Sequence, residues 1–176
     1  MKILVLTGSA RNGNSSKLAD AFIEGAKEAG HDIRRVDCAK LKVNGCLGCN
    51  YCYSHDSVCC QKDGFADLRE DLIAADAVIF ASPIYYYGLS SQLRAVIDRF
   101  YAIDGKLHAP KRTALLISLA DDAEETAQPA VIHYKGFTGY LGWQDSGIVI
   151  AYGCTAPDDI LKTDALAKAR ELGKNI

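Results

Sequence analysis

No apolar stretch in this sequence approaches the ~20 residues that a helix needs to cross a bilayer, which excludes a helical membrane-spanning role. An apolar strand begins directly after Met1 and leaves no room for a secretory leader, so the expected setting is the cytoplasm. An excess of charge of either sign is also missing. The chain carries 20 Lys and Arg against 22 Asp and Glu, a net charge of −2 with no basic stripe, which removes nucleic acid from the expected partners. With 176 residues it matches one domain with a real core, expected to run from 1 to 176. Seven cysteines would mean disulfides in a secreted protein; without an export signal they point to metal, redox chemistry or buried thiols.

Two phosphate-binding signatures are present only in part. The apolar strand Ile3-Leu4-Val5-Leu6 runs into Gly8-Ser9-Ala10-Arg11-Asn12-Gly13-Asn14-Ser15-Ser16 and then into an amphipathic helix. The Gly8 to Gly13 spacing imitates a nucleoside-triphosphate loop, but Asn14-Ser15 stand where that loop needs Lys followed by Ser or Thr. The dinucleotide fingerprint lacks its second glycine, replaced by Ala10, and no acidic residue ends the next strand in a suitable context. What remains is a cradle for a single terminal phosphate. Backbone N–H groups and the positive end of a helix dipole supply the base of it. Ser9, Asn14, Ser15 and Ser16 add neutral donors, and Arg11 adds a planar charged fork.

Strand-like and helix-like patterns alternate along the chain. Apolar β-rich runs fall at Ile3–Thr7, Ile33–Asp37, Ala77–Ser82, Thr113–Leu119 and Gly147–Tyr152. Helical periodicity links Leu18, Phe22 and Ala26, then Leu89, Leu93, Val96, Ile97 and Phe100, and lastly Leu161, Ala165, Ala169 and Leu172. Gly30 and Gly173 occupy expected helix ends. The fourth helix is expected to start at or after Pro129. Right-handed crossovers then predict an α/β fold, a doubly wound five-stranded parallel sheet in the order 2-1-3-4-5 with helices on both faces.

In that order a ligand sits above strands one and three, and strand three ends in Ser82-Pro83-Ile84-Tyr85-Tyr86-Tyr87-Gly88. Three consecutive tyrosines cannot all enter one core, so some line the crevice, where flat amphipathic rings suit a flat aromatic ligand. A phosphate at the first loop and an aromatic ring at the third describe flavin mononucleotide, FMN.

Ser9-x-Arg11-x-Gly13-Asn14-Ser15, Ser82-Pro83-Ile84-Tyr85, Gln92-Leu93 with Asp98-Arg99, and Tyr140-Leu141-Gly142-Trp143 closely resemble the NADPH-dependent FMN reductase group of flavodoxin-like proteins. The resemblance covers nearly the whole chain. It implies a single flavodoxin-like domain with non-covalent FMN, in a homodimer or homotetramer whose partner helps wall the flavin. It further implies hydride transfer from NAD(P)H to the flavin and on to a small acceptor such as a quinone, a nitro or azo compound, or a flavin. On that pattern Ser9, Arg11, Asn14, Ser15 and Ser16 hold the phosphate. Pro83, Ile84, Tyr85 and Tyr86 line the ring, and Ser118, Leu119, Ala120 and Asp121 close the other side. No side chain acts as acid or base, and Asp98-Arg99 reads as a helix-end ion pair. Asp121-Asp122 departs from the small residues of the pattern, and a carboxylate beside the ring would lower its reduction potential.

A second cluster reads Cys46-x2-Cys49-x2-Cys52-x6-Cys59, with Cys60 adjacent. Four thiols so spaced can wrap one cubane or one tetrahedral metal, zinc being the weaker option. The spacing resembles the motif of iron–sulfur flavoproteins, which would make the chain an electron-transfer module relaying electrons between protein partners through FMN and a [4Fe–4S] cluster. The reading preferred over the cluster is a compact loop of partly buried thiols, some of them redox-sensitive. Cys38 and Cys154 are expected to be small buried residues, His31, His55, His108 and His133 to lie at the surface, and Asp63 to cap a helix.

Overall fold

The computed structural model describes residues 1–176. In chain order the elements are β1 (Lys2–Thr7), α1 (Asn14–Glu28), β2 (Asp32–Asp37), α2 (Cys38–Leu41), α3 (Phe65–Ala74), β3 (Ala77–Tyr85), β4 (Gly88–Leu89), α4 (Ser91–Asp98), α5 (Asp104–Leu107), β5 (Arg112–Ser118), α6 (Glu124–Tyr140), β6 (Gln144–Ala151) and α7 (Ala165–Asn175). Five strands form a parallel sheet in the order β2-β1-β3-β5-β6, and the short β4 pairs antiparallel with β3. Leaving β4 aside, this is the expected 2-1-3-4-5 order. No helix is long and apolar enough to cross a membrane.

Alternation along the central strands builds two cores, one on each face of the sheet. Ile3 and Val5 of β1 join Ala77, Ile79 and Ala81 of β3 beneath α1 and α7, where Leu18, Phe22, Ala26 and Ala169 pack. Leu4 and Leu6 join Val78 and Phe80 on the opposite face, against Leu68, Leu72, Leu93, Tyr134 and Trp143 from the remaining helices and α6–β6 turn. Phe80 anchors an aromatic group there, with rings of Tyr134, Phe137 and Trp143 at centroid distances of 6.1, 5.2 and 6.5 Å.

Four expectations are corrected. Gly173 does not end a helix; it lies inside α7, where a Cβ would stand 2.1 Å from the Phe22 carbonyl oxygen. Gly25 of α1 makes the reciprocal approach, a Cβ there falling 1.9 Å from the Arg170 carbonyl oxygen, so the two glycines let α1 and α7 cross backbone to backbone. Leu161 precedes α7 in a short turn and is exposed. Pro129 sits inside α6 rather than at its start. At the sixth helical position it forgoes the bond to the Glu125 carbonyl, a loss offset by the buried face of Ala127, Ala130, Val131 and Tyr134. Finally, β3 continues three residues beyond Ser82, and the chain returns through β4 as a hairpin.

Substituting Gly25 or Gly173 by alanine should lower stability by about 1–3 kcal/mol, since backbone rather than a flexible side chain must move. Gly136→Ala, with nothing within 4 Å of its added Cβ, should be neutral or stabilising by up to ~1 kcal/mol. Urea unfolding midpoints measure both; an unchanged midpoint in Gly25→Ala would contradict the close crossing.

Candidate functional site

The carboxyl ends of β1, β3, β5 and β6 meet where the strand order reverses. Gly8 follows β1, donates to the Ala81 carbonyl at 2.7 Å, and lies so close beneath Ser90 that a Cβ would fall 2.2 Å from its Oγ. Beyond it the loop folds on itself: the Ser9 hydroxyl donates to the Arg11 carbonyl at 2.6 Å and the Gly13 amide donates to the same oxygen at 3.0 Å. Gly13 is the N-cap of α1, and no side chain caps the helix. The first hydrogen bond into its turn runs from the Lys17 amide to the Gly13 carbonyl at 3.1 Å, which leaves the amides of Asn14, Ser15 and Ser16 open. These residues are only 7, 3 and 4% exposed. A buried helix start with no capping side chain presents open N–H donors and the positive end of the helix dipole, the chemistry that can meet an anion.

A crevice of about 190 Å³ opens at Asn14 and Ser15 of this helix start. Ser9, Arg11, Asn14 and Ser15 line one wall, Pro83, Ile84 and Tyr85 a second, and Ser118, Leu119 and Ala120 a third. Pro83 and Ser118 are in register across β3 and β5, and the Ser118 hydroxyl donates to Ser15 Oγ at 3.1 Å. Gly13 of the cradle loop completes the lining together with Cys154 and Thr155, and the last two were missed from sequence. Applying the carboxyl-edge rule to the last strand as well as to the first and third would have found Cys154 and Thr155, three and four residues past β6.

Several expected site residues take other roles. The Asn14 side-chain Nδ2 donates to the Ala156 carbonyl at 2.9 Å, so the side chain ties down the loop after β6 while the backbone amide stays open. Ser16 Oγ accepts from Arg35 at 2.7 Å and faces a neighbouring polar pocket with Asp20, Asp37 and Lys40; only its amide remains at the helix start. Asp37 does end β2, but it is held internally by Thr7, Arg35 and Lys40. Burial opposes its charge, and those hydrogen bonds outweigh burial and bring its carboxyl to about 2. Tyr86 and Tyr87 form the hairpin tip, with φ of 46° and 65°, and Tyr86 is fully exposed instead of lining the crevice. Asp121 turns toward α6, its oxygens accepting from the Thr126 hydroxyl at 2.6 Å and the Ala123 amide at 3.2 Å. Both contacts lower its pKa, and they point the carboxylate at a helix start rather than across the crevice. The walls carry no carboxylate or imidazole.

The cysteine loop lies between α2 and α3. Its anchor is Arg99, wholly buried, which pairs with Asp63 at 2.8 Å and not with Asp98. The short turn Arg99–Ile103 after α4 carries the guanidinium inward, over the Phe65 ring at 4.9 Å and onto the Asn44 carbonyl at 3.0 Å. Asp63 also accepts from the Asn44 and Phe65 amides at 3.0 and 3.1 Å; Phe65 is the first residue of α3, but the N-cap position is Gly64 and not the expected Asp63. Within the loop Cys52 is buried, Cys59 half-buried, and Cys46, Cys49 and Cys60 exposed. The Cys49 and Cys60 sulfurs touch at 3.5 Å, while Cys46 accepts from the Gly48 amide. The Tyr51 amide, the Cys60 thiol and the Arg99 charge pull the Cys49 thiol below its ordinary value. The loop brings the Cys49 and Cys60 sulfurs together, and no group of three His, Cys, Asp or Glu side chains converges in it.

A doubly wound parallel sheet in this strand order, with a crevice at its switch point, defines a flavodoxin-like fold. The family model described as NADPH-dependent FMN reductase matches residues 1–144, and the chain belongs to that family. An iron–sulfur flavoprotein of Archaeoglobus fulgidus is 36% identical over 100 residues, which are 56% of this chain but only 45% of that protein. An FMN-dependent NADH:quinone oxidoreductase of Bordetella bronchiseptica is 28% identical, covering 97% of this chain and 92% of its own. The crystal structure of an azoreductase from Bacillus anthracis superposes with a TM-score of 0.77 over all of both chains at 21% identity, a likeness of fold.

Asp63→Asn should cost roughly 3–5 kcal/mol, because it leaves the buried Arg99 charge uncompensated. Burial opposes the Asp63 charge, but the Asn44 amide and Arg99 hold its pKa below the ordinary value. Its stabilisation is therefore complete above the unfolded carboxylate pKa of about 4 and is lost as pH falls through the lower folded value. Denaturation from pH 7 to 2 should show a shallower acid decline in the variant; an unaltered acid limb would contradict the pairing.

Proposed function

We propose that residues 1–176 form one FMN-binding domain that works in the cytoplasm as an NAD(P)H-dependent oxidoreductase. FMN, when bound, supplies the two-electron chemistry, taking hydride from NAD(P)H and returning it to a small acceptor such as a quinone, a nitro or azo compound, or a flavin. The observation that carries this reading is the buried helix start with three open amides and no capping side chain.

The Asn14, Ser15 and Ser16 amides hold the phosphate, and the Arg11 guanidinium closes over it from Gly13, where its Nε lies 3.5 Å from a Cβ position. Pro83, Ile84 and Tyr85 exclude water from one side of the ring. The Ser118–Ala120 turn bounds the other. No side chain in these walls has to move a proton, which matches a reaction carried by the cofactor and its two substrates in turn. Two copies of the chain, or four, assemble so that a neighbour covers the open side.

One observation favours a second reading. Cys46, Cys49, Cys52 and Cys59 have a cluster-like spacing, and the Archaeoglobus relative is named an iron–sulfur flavoprotein. On that reading the chain relays electrons between protein partners, and anaerobically purified protein carries stoichiometric iron and labile sulfide.

Arg11→Ala should weaken FMN about 5- to 150-fold, or ~1–3 kcal/mol, and wild type should bind riboflavin far more weakly than FMN. Anaerobic NAD(P)H should bleach the bound flavin, and an added quinone should restore its colour with parallel-line kinetics. Equal affinity for riboflavin and FMN would remove the phosphate cradle; flavin that NAD(P)H leaves oxidised would remove the activity.

A further inference from the structure

Outside the crevice, the cysteine loop brings two exposed sulfurs together. The Gln61 amide donates to the Gly45 carbonyl at 3.0 Å, and Asp63 accepts from the Asn44 amide, so the 60–63 segment is stitched to the 44–45 segment. Cys60 is thereby held beside the turn that carries Cys49. Gly48 and Asn50, at φ of 63° and 58°, bracket Cys49 in left-handed conformations and turn its side chain out of the core. Cys38, Cys52 and Cys154 are buried, and neither Cys49 nor Cys60 lines the carboxyl-edge crevice.

We propose that Cys49 and Cys60 are a reversible thiol–disulfide site whose oxidant is a hydroperoxide. The Cys49 thiolate attacks one oxygen of the O–O bond. That bond breaks, the departing oxygen leaves as water or an alcohol after taking a proton, and Cys49 becomes a sulfenic acid. The Cys60 sulfur then attacks the Cys49 sulfur, the S–O bond breaks, the S–S bond forms, and the hydroxyl leaves as water with the Cys60 proton. Two thiols lose two electrons and the hydroperoxide gains them. A small dithiol reverses the change by exchange through a mixed disulfide.

The test uses reduced, FMN-loaded protein freed of reductant and treated with one equivalent of hydrogen peroxide. Thiols titrated after unfolding should fall by two from the seven present, a non-reducing peptide map should show Cys49 joined to Cys60, and dithiothreitol should restore both thiols. Cys60→Ser should form no link and should yield a dimedone adduct at Cys49. Cys49→Ser should slow the thiol loss at least tenfold. Retained FMN absorbance verifies that each variant is folded. A link between other cysteines, no adduct at Cys49 in Cys60→Ser, or stoichiometric iron and sulfide bound through Cys46, Cys49, Cys52 and Cys59 in anaerobic wild type would each overturn the proposal.

Discussion

Three backbone amides at the start of α1 have no acceptor within the chain, and the carboxyl edge is arranged around that deficit. Ser, Thr, Asp or Asn at the N-cap would fill it locally, but Gly13 occupies that position and offers no side chain. Each unsatisfied buried donor costs ~1–3 kcal/mol, so an anion that meets all three should stabilise the fold as well as bind. The surrounding bonds keep the gap open. Ser9 and Gly13 both use the Arg11 carbonyl, Ser15 Oγ is taken by Ser118, and Ser16 Oγ by Arg35, so none of these hydroxyls folds back to cap the helix.

The opposite wall depends on a costly turn. A two-residue hairpin between parallel-sheet strand and helix normally recruits Asn and Gly, yet Tyr86 and Tyr87 both hold positive φ. Such conformations cost bulky residues ~1–3 kcal/mol each and concentrate at functional sites. Here the turn sets Tyr85 against the crevice and sends Tyr86 into solvent, where an exposed ring is available to a neighbouring copy or a substrate.

Much of this was legible in the sequence because it is local. The apolar run of β1, the Gly-Ser loop and the helical spacing of Leu18, Phe22 and Ala26 each follow from neighbouring residues, and the parallel order follows from right-handed crossovers. What escaped depends on partners far along the chain. Arg35 reaches Ser16 across 19 residues, Arg99 reaches Asp63 across 36, and Asn14 reaches Ala156 across 142; no spacing rule encodes those contacts. Gly173 read as a helix end because glycine usually means one, whereas its use is the α1–α7 crossing. Asp121 read as a crevice carboxylate because it follows β5, and the Ala123 amide before α6 and the Thr126 hydroxyl within it claimed it.

The central claim is that the α1 amides bind the cofactor's phosphate, and amide NMR during cofactor addition tests it most directly. In ¹⁵N-labelled protein freed of flavin, FMN should move the Asn14, Ser15 and Ser16 amide protons strongly downfield, as expected for charge-assisted hydrogen bonds, while riboflavin should leave them nearly unmoved. Resonances around Tyr85 and Ala120 should respond to both ligands. Identical shifts at residues 14–16 with FMN and riboflavin would contradict the account.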